Sequence, residues 1–286
     1  MRSAELSTAH PEGRGKAKRS RNGGEKGRSL EFKMRRLFWD CEFSANTVLS
    51  WRVGRKINLP HDNVIIERQV ISVAWKWQDE KKVHALDWGR NQSDAGLLAK
   101  FNKVLNQSDE AVAHFGDGYD WPMFKARCMI RGIKTNPFLK TRDTCKMAGR
   151  FGFNSKSLDY LSKVLGVGEK LDTGFGLWKR VMLENSQTAL RQMVRYNCHD
   201  VFPLLQGVYE KLEESSGPSL HAGVLSGGEK WSCPKCESKH VVVNKTRVTA
   251  AGTIFKTMQC KSCGGYHSIS MKSHDDYLKY LREKRK

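Results

Sequence analysis

No run in this chain approaches the ~20 consecutive apolar residues that a membrane-spanning helix needs. The opening, Met1 to Arg36, also lacks the apolar stretch of a secretory signal. Both absences lead to the expectation of a cytoplasmic protein. Acidic side chains are scarce: 30 Asp and Glu face 50 Lys and Arg, for a formal net charge of +20. Such a surplus favours a polyanionic partner, because neutralised phosphates release their counterions. Basic ends also keep proteins soluble, and an anionic membrane surface would attract the same charge, but no amphipathic anchor accompanies it here. Nucleic acid is therefore the first candidate partner. A disulfide framework is missing as well. Of the eight cysteines, four form two Cys-x-x-Cys pairs near the end, while Cys41, Cys128, Cys145 and Cys198 stand alone. That distribution suits metal binding in a reducing compartment.

What is present divides the 286 residues into a sizeable core and a smaller module. Residues 1–35 are rich in Gly, Ser, Arg and Lys and have little apolar surface to offset ordering entropy, which predicts a disordered basic arm. The core is expected over 36–213. Buried-strand character marks Leu37 to Phe43 (LFWDCEF) and Val70 to Trp77, with a third strand at Lys82 to Trp88 and a short one at Ala111 to Phe115. Helices are expected over Asp94 to Leu105, with Asp94 as N-cap, over Trp121 to Arg131, over Ser157 to Leu165, and over Gln187 to Tyr209. Pro203 should kink or split the last of these just after Asp200. Three strands followed by alternating helix and strand predict an α/β fold, a mixed sheet covered by helices. Residues 214–230 shift to Ser, Gly and Pro, as a linker would. A Cys-rich module follows over 231–272, and a short basic helix over 273–286.

Asp40 and Glu42 lie two apart in the first apolar strand, so both emerge on one face of the sheet. Two acids there repel unless a cation lies between them, and a divalent metal is the economical counter-ion. Asp120, within the strand and turn VAHFGDGYDWP, and Asp200, ending Tyr196-Asn197-Cys198-His199-Asp200, are placed to supply further oxygens. Each acid alone also has a plain structural reading: Asp40 paired with a lysine, Asp120 capping a helix, Asp200 solvated on one. Asp143 and Asp159 read as structural.

In order and spacing, Asp40-x-Glu42, the segment from His114 to Tyr119-Asp120, and Tyr196-x-x-x-Asp200 resemble the three motifs of the DEDD superfamily of 3′ to 5′ exonucleases. The resemblance covers residues 36–212. More narrowly, the chain is similar to RNase H-like exonucleases of bacteria and their phages related to the proofreading domain of family B polymerases, and SLDYLSKVLGVGEK contributes to that likeness. One position departs: the family usually has Asn after the histidine, and this chain has Phe115.

The resemblance implies an RNase H-like core and two Mg²⁺ (or Mn²⁺) ions, one activating the attacking water and both stabilising charge on the phosphate. It implies Asp40 bridging both metals, Glu42 and Asp200 completing the first site, and Asp120 holding the second directly or through water. Tyr196, one helical turn before Asp200, would orient the water, which assigns the chain to the tyrosine branch; the histidine branch would need His where Arg195 stands. His199 is then structural. Trp121 and Phe124, which follow Asp120, are candidates for stacking bases, and Asn46 to Gln69, with Arg52, Arg55 and Lys56, for contacting substrate.

Cys233-x-x-Cys236 and Cys260-x-x-Cys263 flank 23 residues that include the strand-like VVVNKTRV and TIFKTMQC. This spacing predicts a zinc ribbon with one structural Zn²⁺, because four thiolates leave no open coordination position. Its lysines suit a grip on nucleic acid, while a protein-docking role is an equal alternative. The functional expectation is a 3′ to 5′ exonuclease acting on a single-stranded 3′ end in a bacterial or phage-infected cytoplasm. A catalytically silent nucleic-acid-binding adaptor and an RNase H-like endonuclease are the competing readings.

Overall fold

A computed structural model describes residues 34–54 and 56–286. The basic arm expected over 1–35 falls outside the described residues except for its last two positions, and so does Arg55. Five strands form one mixed sheet: β1 (Arg36–Phe43), β4 (Val70–Trp77), β5 (His84–Asp87), β6 (Glu110–Ala113) and β7 (Thr141–Asp143). Their order is β5-β4-β1-β6-β7, with β4 antiparallel to β1 and β5, and β6 parallel to β1 and β7. A small ribbon, β2 (Thr47–Val48) with β3 (Val64–Ile66), projects from the connection between β1 and β4.

The central strand shows why the sheet forms. Leu37, Trp39, Cys41 and Phe43 alternate onto one face, against α1 (Ala95–Leu105) and α2 (Asp120–Ile130). Phe38 enters the opposite core with residues of α3 (Thr144–Ala148), α4 (Leu158–Val164) and α7 (Gln206–Ser216). Each such fully buried large apolar side chain is worth about 1.5–3 kcal/mol. A third cluster joins Ile71 and Trp88 to α5 (Gly176–Met182) and α6 (Gln187–His199). On the face that carries Phe38, the next two positions are Asp40 and Glu42. Their partners across the ladder are Ala74 and Ser72, small enough to leave the carboxylates room.

The expected helix from Gln187 to Tyr209 is broken as Pro203 requires. Phe202 is extended (φ −145°, ψ 124°) between α6 and α7, two residues beyond Asp200. Asp94 precedes α1 but does not cap it. Its carboxylate is fully buried and accepts from Arg127 (2.7 and 3.1 Å) and Arg131 (3.0 Å) instead, so the capping expectation is corrected. Two arginines compensate a buried charge better than one amide could.

Near the end, β8 (Val241–Val248), β9 (Ile254–Cys260) and β10 (Tyr266–Ser270) form an antiparallel sheet in the order β10-β9-β8. Helix α9 (Met271–Glu283), capped by Ser270, packs Tyr277 against Trp231, Val241, Met258 and Ile269. Between the two sheets lie the end of α7 and the short α8 (Ala222–Leu225). Arg142 donates to the Gly217 carbonyl (2.9 Å), and Ser219 bonds the buried Glu110. The connection is thereby fastened to the core.

Candidate active site

Helix α6 crosses the sheet on the face that carries Asp40 and Glu42. Carboxylate oxygens of Asp40, Glu42 and Asp200 lie within 4.8 Å of one another. Asp120, the first residue of α2, lines the same cavity of about 210 Å³, together with His114, Phe115, Tyr119, Lys170 and Tyr196. The backbone amide of Cys41, the residue between Asp40 and Glu42, favours the ionised form of Asp120. The structure thus brings all four acids and the tyrosine singled out from the sequence around one space.

The electrostatics are those of an acid cluster short of positive charge. Burial, then the neighbouring acids, raise Asp40 well above the usual carboxylate range. Glu42 is pushed up to about 8 by burial and by Asp200, and Asp120 to about 7, chiefly by burial. Asp200 is also raised by burial, although Lys170 opposes the shift. Lys170 Nζ donates to Asp200 Oδ2 (2.6 Å) and to the Tyr196 hydroxyl (3.2 Å). Burial works against the ammonium, but Asp200 holds it charged well above the ordinary lysine range. His114 is driven down to about 4 by burial, so its imidazole is neutral and adds no charge.

Two side chains at this site were not assigned from the sequence. Lys170 lies in a glycine-containing loop 30 residues before Asp200. Asn197, fully buried, donates Nδ2 to Asp40 Oδ2 (2.8 Å). Its position next to Tyr196 was the available signal, since one helix presents both residues to the sheet. Asn197 Oδ1 and Asp200 Oδ1 are buried without a hydrogen-bond partner. An unpartnered buried carboxylate oxygen facing three further acids fits a hard cation with oxygen ligands.

Other expectations separate here. His199 turns away and bonds the Glu169 carbonyl (2.8 Å). Asp159 pairs with Lys163 (3.1 Å) at the surface. Asp143 ends β7 and accepts from the amides of Phe115, Asp117, Cys145 and Lys146, so it shapes the neighbouring loop. The stacking role considered for Phe124 is corrected. Phe124 is wholly buried, and Trp121 packs half-buried on Trp39 and Phe124, because α2 needs both rings for the core. The 46–69 segment instead exposes Trp51 fully, beside the exposed Arg52 and Lys56.

The second cluster consists of Cys233, Cys236, Cys260 and Cys263, whose sulfurs also lie within 4.8 Å of one another. The closest pairs, Cys233 with Cys263 and Cys236 with Cys260, are 3.6 Å apart. Thiolates around a tetrahedral ion at ~2.3 Å stand roughly this far apart, and a disulfide is much shorter. Burial opposes ionisation of Cys260, yet the amides of Cys263 and Ser262 bring it down to about 6. The donor set fits a metal.

No curated protein matches this chain. Among solved structures, the family B DNA polymerase of the hyperthermophilic archaeon Pyrobaculum calidifontis is similar, with 17% identity, a TM-score of 0.47, and coverage of 63% of this chain and 24% of the polymerase. The chain therefore spans about a quarter of that polymerase's length. A family model for the RNase H superfamily matches residues 65–212, more than half of the sequence, a stretch that contains Asp120, Tyr196 and Asp200. With the five-stranded mixed sheet already in view, that match identifies the chain as a member of the RNase H superfamily.

Proposed function

We propose that the chain is a metal-dependent 3′ to 5′ exonuclease of the DEDD type, tyrosine branch, that hydrolyses phosphodiester bonds of single-stranded DNA or RNA. The observation that carries this reading is the convergence of Asp40, Glu42 and Asp200 within 4.8 Å, with Asp120 and Tyr196 lining the same cavity. Asp40, Glu42, Asp120 and Asp200 would hold two Mg²⁺ or Mn²⁺ ions, which supply Lewis acidity to the phosphate and lower the pKa of a bound water.

The protein's own groups do the rest. Asn197 fixes the rotamer of Asp40, and Lys170 orients Asp200 and the Tyr196 hydroxyl. A tyrosine hydroxyl held in this way can position a water by hydrogen bonding while keeping its own proton, because burial raises its pKa. The neutral His114 bonds Thr144 (2.8 Å) and fixes the loop that leads to Asp120. The four cysteines would bind one structural Zn²⁺ and hold the module over 231–272 as a zinc ribbon. Its exposed Lys235, Lys239, Lys245, Arg247 and Lys261 make nucleic acid the favoured contact there.

The test is incubation of 3′-labelled and 5′-labelled single strands of DNA and RNA with Mg²⁺ or Mn²⁺, beside Asp40→Ala and Asp200→Ala. Early release of mononucleotides from the 3′ end, lost in both variants, is the expected result. Cleavage of a covalently closed circle would replace the reading with an endonuclease. Binding without any metal-dependent cleavage would leave a silent adaptor.

A further inference from the structure

The loop from His114 to Asp120 contains a feature that acid chemistry does not require. Phe115 has φ +57°, a left-handed conformation rare for a bulky side chain. A backbone of this kind costs about 1–3 kcal/mol and persists only where its surroundings impose it. Here they do. The Phe115 amide donates to Asp143 Oδ1 (3.0 Å), and the Asp117 amide to Asp143 Oδ2 (3.2 Å). Gly118 clears the way for the ring: a Cβ there would stand 2.7 Å from it.

Holding the ring in this way gains the fold little. Phe115 is 53% exposed and belongs to none of the buried apolar clusters. It borders two adjoining cavities, the acid-lined one and a neighbouring one of about 400 Å³ that also holds Lys156, Leu158 and Lys170. Asp159 lines the second cavity as well, but its carboxylate is taken by Lys163. The two cavities together offer oxygens suited to metal, an exposed aromatic face and, since Lys170 is held by Asp200, one ammonium, that of Lys156, suited to phosphate.

We propose that Phe115 is a specificity-determining residue: its ring is the platform for a base of single-stranded nucleic acid adjoining the phosphate at the acid cluster, while Lys156 takes the neighbouring phosphate. The proposal rests on the nuclease reading for the position of the scissile bond. An aromatic face accepts every base and requires it to be free of its partner strand, so the site is tolerant of sequence and selective for unpaired ends. Phe115 then offers a stacking surface at the position where the resembled family usually has Asn.

The experiment is a two-by-two comparison. Wild type and Phe115→Ala are each given a single-stranded oligonucleotide that is either intact or abasic at one of its last two positions, and KM and kcat are measured. Stacking predicts that Phe115→Ala raises KM about tenfold on the intact strand, that wild type suffers similarly on the abasic strand, and that the two losses do not add. Phe115→Tyr should restore the intact-strand KM. Equal losses for Phe115→Ala on both strands, or none on either, overturn the proposal. Affinity for the same strands, read by fluorescence anisotropy in Ca²⁺, follows the contact without turnover. Base-dependent binding through Phe115 with no cleavage in Mg²⁺ or Mn²⁺ would sink the nuclease reading and support this one. Cleavage without base dependence would do the reverse, and a chain that neither binds nor cuts would overturn both.

Discussion

Asn197 Nδ2 fixes where the Asp40 carboxylate points, and if Asp40 holds a metal as proposed, that places Asn197 among the groups that orient a ligand. Asn197→Ala is therefore expected to lower metal affinity or turnover about 10- to 100-fold with little change in fold. Titration with Mn²⁺ should show the loss, and an unaltered binding isotherm and kcat would leave Asn197 a mere packing residue. Burial, first of all, also gives the acids a pH signature, with Glu42 at about 8 and Asp120 at about 7. Unfolded carboxylates titrate near 4, so between about pH 4 and 8 the folded state holds more protons than the unfolded one. Stability from these groups is accordingly full at the acid end and falls as pH rises through 7 to 8, when the ionised acids repel. A divalent ion competes with those same protons, so its stabilising effect should grow over the same window. Melting temperatures with EDTA and with Mn²⁺ should diverge steadily from pH 5.5 to 8.5; a constant gap would show that the cluster is ionised throughout.

Individual elements were legible wherever the signal was local. The period-two pattern of LFWDCEF located β1 and put Asp40 and Glu42 on one face, and Pro203 located the break after α6. Contacts made over long separations were not legible. Asp94 reads as a cap because the rule for caps is local, yet its partners are Arg127 and Arg131, 33 and 37 residues on. Lys170 and Asn197 join the site across 30 and 157 residues, and no spacing rule reaches that far. Asp143 reads as structural from the sequence, but its part in the left-handed turn at Phe115, 28 residues earlier, does not follow from any local pattern. The Cys-x-x-Cys pairs were local, and they carry a prediction of their own. The last three strands and α9 have a separate small core around Trp231, Met258 and Tyr277, of a size at which a bound metal adds a large share of the stability. If the four thiolates hold Zn²⁺, a strong chelator should release one ion per chain and speed amide exchange throughout β8 and β9. Amides of β1, which lie in the other cores, should stay protected. Exchange in β9 that ignores the chelator would refute a metal staple.

Across the whole molecule, the acid cluster lies on the main sheet, while the cysteine cluster belongs to the module built on β8, β9 and β10. Arg36, at the start of β1, bonds Glu110 and Gln78 and lines a cavity with Pro234 and Lys235 of the Cys-rich module. Asp40 lies four residues further along the strand, about 13 Å away at ~3.3 Å per residue. The module therefore meets the core at the end of β1 away from the acids, and on the proposed function the cations at that junction are not aimed at a phosphate held by the acids. Their contribution should instead be general affinity for the polyanion, which is electrostatic and indifferent to sequence. Lys245 and Arg247 are both exposed on β8, the strand at the edge of its sheet, two residues apart and so on one face. If this face grips nucleic acid as proposed, replacing both with Ala removes two phosphate contacts. The slope of log affinity against log salt should then become shallower by about 1.4, the value for two phosphates of a single strand. KM at moderate salt should rise, while the rate at saturating substrate stays as it was, because nothing near Asp40 or Asp200 has changed. An unchanged salt slope would assign this face to a protein partner, and a fall in the saturated rate would mean that the module reaches the chemistry after all.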